Sequence, residues 1–168
     1  MSHPPSPTFT WRRLEDFSST ELHAILAARE QVFVVEQQCP YQDADAYDAV
    51  AWHLTGHCGP HLAAYLRLID PGHKSPEPSI GRVLTTRAFR GTGLGKKVVA
   101  EGIRHSHLHF PEMTVRLSAQ SHLQHFYHSF GFVPASSQYI EDGIPHLEML
   151  LPPPPKDSPE TSLQPQPR

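Results

Sequence analysis

Three glycines at alternate positions, Gly91, Gly93 and Gly95, lie between an arginine and two lysines in the stretch AFRGTGLGKKVV. A glycine-rich turn from a strand into a helix suits a phosphate group, because the free amides of the first helical turn point outward and the helix dipole favours an anion. A Walker A loop requires glycine where Arg90 stands, and a dinucleotide fingerprint requires glycine where Lys96 stands. The sequence therefore predicts a phosphate-bearing ligand of another kind.

The thirteen histidines raise the alternative of a metal site. His122, His125 and His128 recur at three-residue steps, but side chains at this spacing turn around a helix by about 60° per step and do not converge on one ion. His105 and His109 are four residues apart and could bind a metal as a pair, but the sequence offers no evident third ligand. We therefore expect no functional metal.

The elements that must position these residues follow from the apolar pattern, which predicts the order β-α-β-β-β-α-β-α-β-β. A capping box formed by Ser18 and Glu21 begins the first helix, which is expected to end near the β-branched run VFVV. The stretches AWHLTGH and HLAAYLRLID form a hairpin, and IGRVLTT leads into the glycine loop. A helix from about Gly93 to His109 follows. The last elements are the strand MTVRLSA, the helix SHLQHFYHSF, and the strands FVPASSQYIE and HLEMLL. The fold class is α/β, a mixed central sheet with helices on both faces.

Composition predicts one folded domain with polar ends. The chain has 168 residues, and residues 1–7 and 152–168 hold ten of its eighteen prolines and few large apolar side chains. Both ends are predicted to be disordered, which leaves residues 8–151 as the folded domain. The tail at 152–168 is either a polyproline ligand for another protein or only a solvated end.

Charge and hydropathy exclude several functional classes. The formal net charge is −3 and no basic patch persists along the chain, so nucleic-acid binding is not expected. No apolar run approaches the roughly 20 residues that span a bilayer, so no membrane insertion is expected. Cys39 and Cys58 make no disulfide framework and the first residues lack a signal-peptide pattern, which together predict a cytoplasmic location.

Several separated motifs resemble those of one enzyme family. The stretch RGTGLG is similar to the [RQ]-x-x-G-x-[GA] signature of the GNAT N-acetyltransferases, whose loop wraps the pyrophosphate of acetyl-coenzyme A. RVLTT precedes it as the family strand does, and FYHSFGF follows about 35 residues later, where the family has F-Y-x-x-x-G-F. The blocks AREQVFVVEQQCPYQDAD, AQSHLQHFYHSFGF and EDGIPH resemble the ElaA-like branch of that family. The resemblance spans roughly residues 11–151.

This resemblance implies the GNAT fold and the transfer of acetyl from acetyl-coenzyme A to an amine. Attack is expected to be direct, within a ternary complex, because no activated cysteine or serine is evident. Tyr127 aligns with the tyrosine that protonates the coenzyme A thiolate, and a phenol is neutral at pH 7. Val83 could instead pack in the core, and Gln120 could instead begin a helix. The residues expected to bind coenzyme A are Val83, Leu84, Thr85, Arg90, Gly91, Thr92, Gly93, Leu94, Gly95, Lys96 and Gln120.

The residue that deprotonates the amine is left between Glu36 and His53. The carboxylate of Glu36 could accept the proton directly or through a water, and an imidazole such as that of His53 changes charge near neutral pH. Either side chain could also only shape the pocket. Glu36, Asp43 and Asp45 form an acidic neighbourhood, which favours a cationic acceptor unless it is only a solvated loop.

Other properties are implied less directly. The acceptor is left open between a small-molecule amine and a peptide amine, because acceptor sites of the family lie on variable loops and the resemblance implies a reaction class rather than a substrate. Many proteins of this fold form homodimers, so a homodimer is one expected state. The alternative function is a non-catalytic coenzyme A-binding module whose proline-rich tail docks on a partner.

Overall fold

The structure is a computed structural model that describes residues 6–155. The predicted disorder of the two ends falls mostly on residues 1–5 and 156–168, which lie outside the described residues. Within residues 6–155, no helix is long and apolar enough to cross a membrane.

Eight strands and three α-helices follow one another along the described chain. Their bounds are β1 Thr8–Arg12, α1 Ser19–Glu30, β2 Ala51–Cys58, β3 His61–Ile69, β4 Ser79–Thr85, α2 Leu94–His109, β5 Val115–Gln120, α3 Gln124–His128, β6 Val133–Pro134, β7 Tyr139–Glu141 and β8 Ile144–Leu151. The order agrees with the prediction at every element but one. The stretch predicted as a single strand, FVPASSQYIE, is the two short strands β6 and β7, which pair with separate parts of β8.

The strands form one mixed sheet in the order β1-β2-β3-β4-β5-β8-β6, and β7 also pairs with β8. Neighbouring strands are antiparallel except β4 and β5, which are parallel. Only two residue pairs join β4 to β5, Ser79 with Arg116 and Ile80 with Leu117. Because β4 continues to Thr85 and β5 to Gln120, the strands diverge towards their carboxyl ends and open a V-shaped gap.

A bulge bends β4 beside this gap. The pairing of β3 with β4 shifts between Tyr65 and Arg67, and β4 carries one residue more than β3 across this interval. Arg82, one of the bulged residues, has a φ of 51°, in the left-handed region that residues other than glycine rarely adopt. Such a bulge disrupts the ladder and increases the local twist, which is consistent with the separation of β4 from β5.

Helices cover both faces of the sheet, as predicted. On one face α2 buries Val98 and Val99 completely, and Gly102 lets it approach β3 so closely that an added Cβ would lie 2.7 Å from Cδ1 of Leu66. On the other face Ile25 of α1 packs in a smaller cluster with Tyr65 and Leu84. The gap therefore lies in a sheet that is held rigidly from both sides.

Helix α1 begins and ends with specific hydrogen bonds. The predicted capping box is confirmed, because the Ser18 hydroxyl accepts from the Glu21 amide and the Glu21 carboxylate accepts from the Ser18 amide. At its end the chain continues into a wider π-helical turn, Gln31–Glu36, where the sequence predicted only a helix end. The amide of Cys39 donates to the carbonyl of Val34, five residues back. This turn carries residues 32–37 to the mouth of the gap.

Candidate active site

The gap between β4 and β5 opens into a cleft of about 910 Å³. Its walls are formed by the π-helical turn, the bulged part of β4, the end of β5, the start of α3 and the β7–β8 hairpin. The structure brings together seven of the predicted site residues along it. They are Glu36, Val83, Leu84, Thr85, Arg90, Gln120 and Tyr127.

The glycine loop lies directly after Arg90 at one end of the cleft. Gly91 and Gly93 have φ values of 75° and 80°, which L side chains rarely adopt, and a Cβ added at either glycine would meet nothing within 4 Å. Leu94, only 4% exposed, anchors the first turn of α2 in the core. The first amides of α2 therefore have no intrahelical acceptor and stand beside open space. This arrangement can bind an anion.

Six predicted ligand-binding residues belong to this loop and do not line the cleft proper. They are Gly91, Thr92, Gly93, Leu94, Gly95 and Lys96. The Thr92 hydroxyl donates to the carbonyl of Phe89 at 2.7 Å, which steadies the turn. The loop thus forms the rim where the cleft meets the N-terminus of α2. The contacts predicted between this loop and a phosphate group are made by its main-chain amides.

Arg90 connects the glycine loop to the π-helical turn. Its Nη2 donates to Oε2 of Glu36 at 2.7 Å, and its Nε donates to the carbonyl of Thr85 at 3.1 Å. Glu36, predicted as one candidate base, is therefore the acceptor of an ion pair at the loop end of the cleft. This pair fixes the position of the arginine side chain relative to β4.

Tyr127 projects from α3 and is 7% exposed. Burial raises the pKa of Tyr127 to about 12, so the phenol is neutral across the physiological range. Its ring makes edge contacts with Phe126 and Phe132, and its hydroxyl makes no hydrogen bond within residues 6–155. Tyr127 lines the cleft, so a protonated hydroxyl without a partner among residues 6–155 is available there.

The position of Gln120 is compatible with both of its predicted roles, binding the cofactor and beginning a helix. It ends β5 and precedes the short helical turn Ser121–Leu123, and it also lines the cleft. Its Nε2 donates to Oε1 of Gln37 at 3.2 Å, so the two amides link β5 to the π-helical turn across the cleft. Val83 likewise lines the cleft and packs against the main core.

A buried charge cluster lies beneath the cleft. Arg29 binds Asp43 and Asp48, each at 2.7 Å, and Arg67 binds Asp48 at 2.7 Å. Burial opposes ionisation of Asp48, but hydrogen bonds and charges from the arginines outweigh it and lower the pKa of Asp48 to about 2. The members of this cluster are Arg29, Arg67, Arg82, Asp43, Asp45 and Asp48.

The charge cluster corrects the predicted acidic neighbourhood. Asp43 and Asp45 are neither free to attract a cationic acceptor nor part of a solvated loop, because Arg82 pairs with both, at 2.8 and 3.4 Å. Asp45 is also 2.6 Å from Arg67. Since three arginines face three aspartates, the floor of the cleft carries no net charge.

His53, the other candidate base, is 1% exposed and does not line the cleft. One ring nitrogen is 2.6 Å from the Tyr65 hydroxyl and the other is 2.9 Å from the carbonyl of Asp48. Burial also lowers the pKa of His53, which favours the neutral ring. The prediction that His53 accepts a proton from a bound amine is not supported by this position, because both nitrogens already have protein partners.

The proposed metal pair His105 and His109 is explained by packing. His105, 5% exposed, stacks on Trp11 with ring centroids 3.9 Å apart, and His109 lies 4.3 Å from it. Within the described residues, no group of three or more His, Cys, Asp or Glu side chains is placed to hold a metal.

Sequence reasoning missed the wall of the cleft formed by the β7–β8 hairpin. His146 and Glu141 line the cleft there. The signal was available in HLEMLL, because Leu147 and Met149 alternate with His146 and face the core, which leaves His146 on the opposite face.

Comparisons with known proteins identify the family. Residues 58–152 match the family described as an acetyltransferase (GNAT) domain. The chain belongs to the GNAT acetyltransferase family. Within it, the relatives support the ElaA-like branch, since the chain is 41% identical to the ElaA protein of Escherichia coli over 143 residues, which cover 83% of this chain and 94% of that protein.

Other relatives and solved structures agree. A UPF0039 protein of Synechocystis is 45% identical over 148 residues, which cover 88% of this chain and 96% of that protein. The crystal structure of E. coli ElaA superposes with a TM-score of 0.81 at 37% identity, over 86% of this chain and 99% of that one. An acyl-CoA N-acyltransferase from Pseudomonas aeruginosa gives a TM-score of 0.83 at 40% identity, over 87% and 99%. The GNAT acyl-CoA N-acyltransferase fold is therefore confirmed.

Proposed function

We propose that the protein transfers acetyl from acetyl-coenzyme A to an amine by direct attack in a ternary complex. The observation that carries this proposal is the divergence of β4 and β5 into a cleft that ends at the glycine loop. A long thin ligand with a pyrophosphate near one end fits such a path. In support, a GNAT family acetyltransferase from Elizabethkingia anophelis that shares the fold holds acetyl-coenzyme A in its crystal structure.

The loop and β4 would hold the thioester. The amides at the start of α2 would bind the pyrophosphate, with Lys96 adding positive charge. Main-chain groups of Val83, Leu84 and Thr85 border the gap where β5 no longer pairs with β4, so they are positioned to bond the pantetheine arm. The amide of Leu84 is the proposed donor to the acetyl oxygen, where it would stabilise the negative charge that develops during attack.

Tyr127 is the proposed proton donor to the coenzyme A thiolate. The raised pKa of Tyr127, about 12, exceeds that of an ordinary thiol, about 8.5 for cysteine. Because the phenol is the weaker acid, it gives its proton to the thiolate only if its oxygen receives another proton at the same time. It donates a hydrogen bond first, and completes the transfer as another proton reaches its oxygen from the amine.

Thermal unfolding with separate additions of acetyl-coenzyme A, coenzyme A, ATP and NADH tests the ligand. A ligand at 100 times its dissociation constant adds about 2.7 kcal/mol to the free energy of unfolding, which is readily measured as a shift of the midpoint. Stabilisation by the two coenzyme A species and by neither of the others supports the proposal. No shift with coenzyme A, or a shift with ATP instead, contradicts it.

Release of free thiol from acetyl-coenzyme A tests the reaction. The assay is run against small amines, amino sugars, peptides with a free N-terminus and peptides with an accessible lysine. Amine-dependent thiol release, with the acetylated amine identified by mass spectrometry, supports an acetyltransferase. Binding of coenzyme A without turnover on any amine favours the non-catalytic module instead.

A further inference from the structure

His146 lies on the wall of the cleft opposite β4. It is the Cα partner of Gln120 on β5 and of Tyr139 on β7, at the point of β8 where these two ladders meet. Side chains directly opposite each other in an antiparallel pair project to the same face. His146 therefore shares the face of Gln120, which reaches Gln37 at the end of the π-helical turn. Its side chain is 13% exposed, so it is held in place yet open to the cleft.

One hydrogen bond determines which ring nitrogen of His146 carries the proton. Nδ1 is 2.8 Å from the carbonyl oxygen of Ile144. Because a carbonyl oxygen can only accept, Nδ1 must donate, and the neutral ring then keeps its lone pair on Nε2. The carboxylate oxygen Oε2 of Glu141 lies 3.8 Å from Nε2, beyond hydrogen-bond distance. Nε2 is thus a free proton acceptor.

Three of the other candidate bases in or beneath the cleft are already engaged, and His122 and Glu141, which also line it, are more exposed than His146. Glu36 accepts from Arg90 at 2.7 Å, and Asp45 accepts from Arg67 at 2.6 Å. Both ring nitrogens of His53 have partners beneath the cleft. Protonating either carboxylate would neutralise one member of an ion pair, whereas protonating Nε2 of His146 breaks no hydrogen bond.

We propose that Nε2 of His146 is the general base that removes a proton from the attacking amine. This inference depends on the proposed acetyltransferase function. The ammonium loses two protons while the nitrogen forms a bond to the acetyl carbon and the carbon–sulfur bond breaks. One proton passes to Nε2 and from there to solvent. The other reaches the departing thiolate through the Tyr127 hydroxyl, so protons and charge balance.

The groups that face His146 favour this role. Glu141, on β7, places a carboxylate 3.8 Å from the positive charge that forms on the ring. The ring of Tyr139 stacks on the imidazole at 6.2 Å, and burial raises the pKa of Tyr139 to about 12, so this neighbour is neutral. The Tyr139 hydroxyl donates to Glu148 at 2.7 Å, which occupies that carboxylate. Among residues 6–155, no lysine or arginine forms a hydrogen bond or a ring contact with His146.

Substitution His146→Gln tests the proposal through turnover and pH dependence together. Positioned general bases contribute about 10²- to 10⁴-fold to rates, so we expect kcat/KM at pH 7 to fall by about 100-fold or more. The acidic limb of the pH profile should also disappear, because glutamine has no ring nitrogen to accept the proton. The midpoint shift on adding acetyl-coenzyme A should equal that of the wild type. The matched control is His125→Gln, an exposed histidine of α3 that does not line the cleft and should retain full activity.

The outcomes separate this inference from the proposed function. If His146→Gln turns over at the rate of the wild type, or keeps the acidic limb of the pH profile, the role of His146 is overturned and the proposed acetyltransferase function is not. Absence of turnover by the wild type on every amine overturns both proposals. Loss of the shift with acetyl-coenzyme A in His146→Gln assigns the histidine to binding and overturns its role as base.

The proton position gives a test that needs no acceptor. Long-range ¹⁵N–¹H correlation of the imidazole rings distinguishes the two neutral forms, and the signals of His146 are those missing from His146→Gln. In the neutral ring we expect the proton on Nδ1, with and without coenzyme A, because Nδ1 donates to the carbonyl oxygen of Ile144. A proton on Nε2 would remove the lone pair from the cleft and overturn the proposal.

Discussion

The hydroxyl of Tyr127 can be removed with little effect on packing, because it has no hydrogen-bond partner among the described residues. The ring contacts with Phe126 and Phe132 remain in Tyr127→Phe. We expect turnover to fall by about 100-fold, the lower end of what a positioned proton donor contributes. The affinity for acetyl-coenzyme A, measured by calorimetry, should change by less than about twofold. Unchanged turnover would exclude the phenol from the reaction.

Asp48 joins Arg29 to Arg67 in the charge cluster, so its substitution leaves two buried cations undercompensated. Removing one partner of a buried ion pair costs about 3 to 5 kcal/mol. We therefore expect Asp48→Asn to lower the free energy of unfolding in urea by about 3 kcal/mol at pH 7. Glu30→Gln, at an exposed position that ends α1, is the control and should change it by less than about 0.5 kcal/mol.

The same carboxylate predicts how stability depends on pH. The pKa of Asp48 falls from 3.8 to about 2 on folding, so the folded state binds fewer protons than the unfolded state in this interval. Its contribution of about 2 kcal/mol is complete above pH 5 and is lost as the pH falls through 2. Urea unfolding of wild type and Asp48→Asn should converge by this amount between pH 5 and pH 2. A constant difference across that range would contradict the low pKa.

Individual residues show where sequence reasoning reaches its limit. Arg29 lies four residues after Ile25, so helical spacing predicts that it shares the buried face of α1, and it is 1% exposed. Its partners could not be predicted, because Asp43 and Asp48 lie in an irregular stretch without any period. The same irregular stretch made the aspartates look available to a ligand. Pairing between distant segments depends on tertiary packing, which local spacing does not encode.

At the scale of elements, the glycine loop offers a test that separates ligand contact from folding. Gly95 is helical and has no positive φ, and an added Cβ would come no closer than 4.0 Å to any neighbour, the Cγ2 of Thr85. Gly95→Ala should therefore fold, with the free energy of unfolding raised by up to about 1 kcal/mol. Gly95→Glu should fold but fail to bind acetyl-coenzyme A, because its side chain and charge occupy the phosphate space. Thermal unfolding of each variant without and with acetyl-coenzyme A measures the stability of the fold and the binding of the ligand. Wild-type affinity in Gly95→Glu would refute the assignment of this loop.

Gly102, two turns further along α2, is the matched control. An added Cβ would lie 2.7 Å from Cδ1 of Leu66, inside the packed core. Overpacking typically lowers the free energy of unfolding by about 1 to 3 kcal/mol, whereas replacing glycine by alanine inside a helix raises it by up to about 1 kcal/mol. We expect Gly102→Ala to be destabilised by about 1 kcal/mol, measured by urea unfolding, while its affinity for acetyl-coenzyme A is unchanged. Gly95→Glu is thus expected to affect ligand binding without unfolding the protein, and Gly102→Ala to affect stability without changing ligand binding.

The π-helical turn and the β4 bulge were not predicted. Apolar spacing placed the end of α1 correctly within a few residues, but it could not indicate that the chain widens over Gln31–Glu36. Both features insert one residue into a regular element, and each displaces side chains that then face the cleft. Such insertions are set by the neighbouring strands and loops, so the sequence period continues through them unchanged.

At the scale of the whole molecule, sequence motifs predicted the order of elements, the two covered faces and the loop at the start of α2. They did not predict how weakly β4 and β5 are joined. The register between parallel strands depends on how the helices pack on both faces of the sheet. The apolar pattern of a strand is the same whether two or six of its residues are paired, so the sequence does not show the extent of pairing. The cleft exists because only two residue pairs connect these halves of the sheet.

This weak junction predicts a change that ligand binding should produce across the sheet. Without a ligand, amides of residues 82–85 and 118–120 that point into the gap have no strand partner, because pairing of β4 with β5 stops at Ile80 and Leu117. Hydrogen exchange measured by mass spectrometry should be fast there and slow in the middle of β3, which is paired on both sides. Saturating acetyl-coenzyme A should slow exchange in the peptides of both diverging strands and of the loop at 90–96. Protection confined to the loop would mean that the ligand does not enter the gap, and would contradict the pantetheine path along β4.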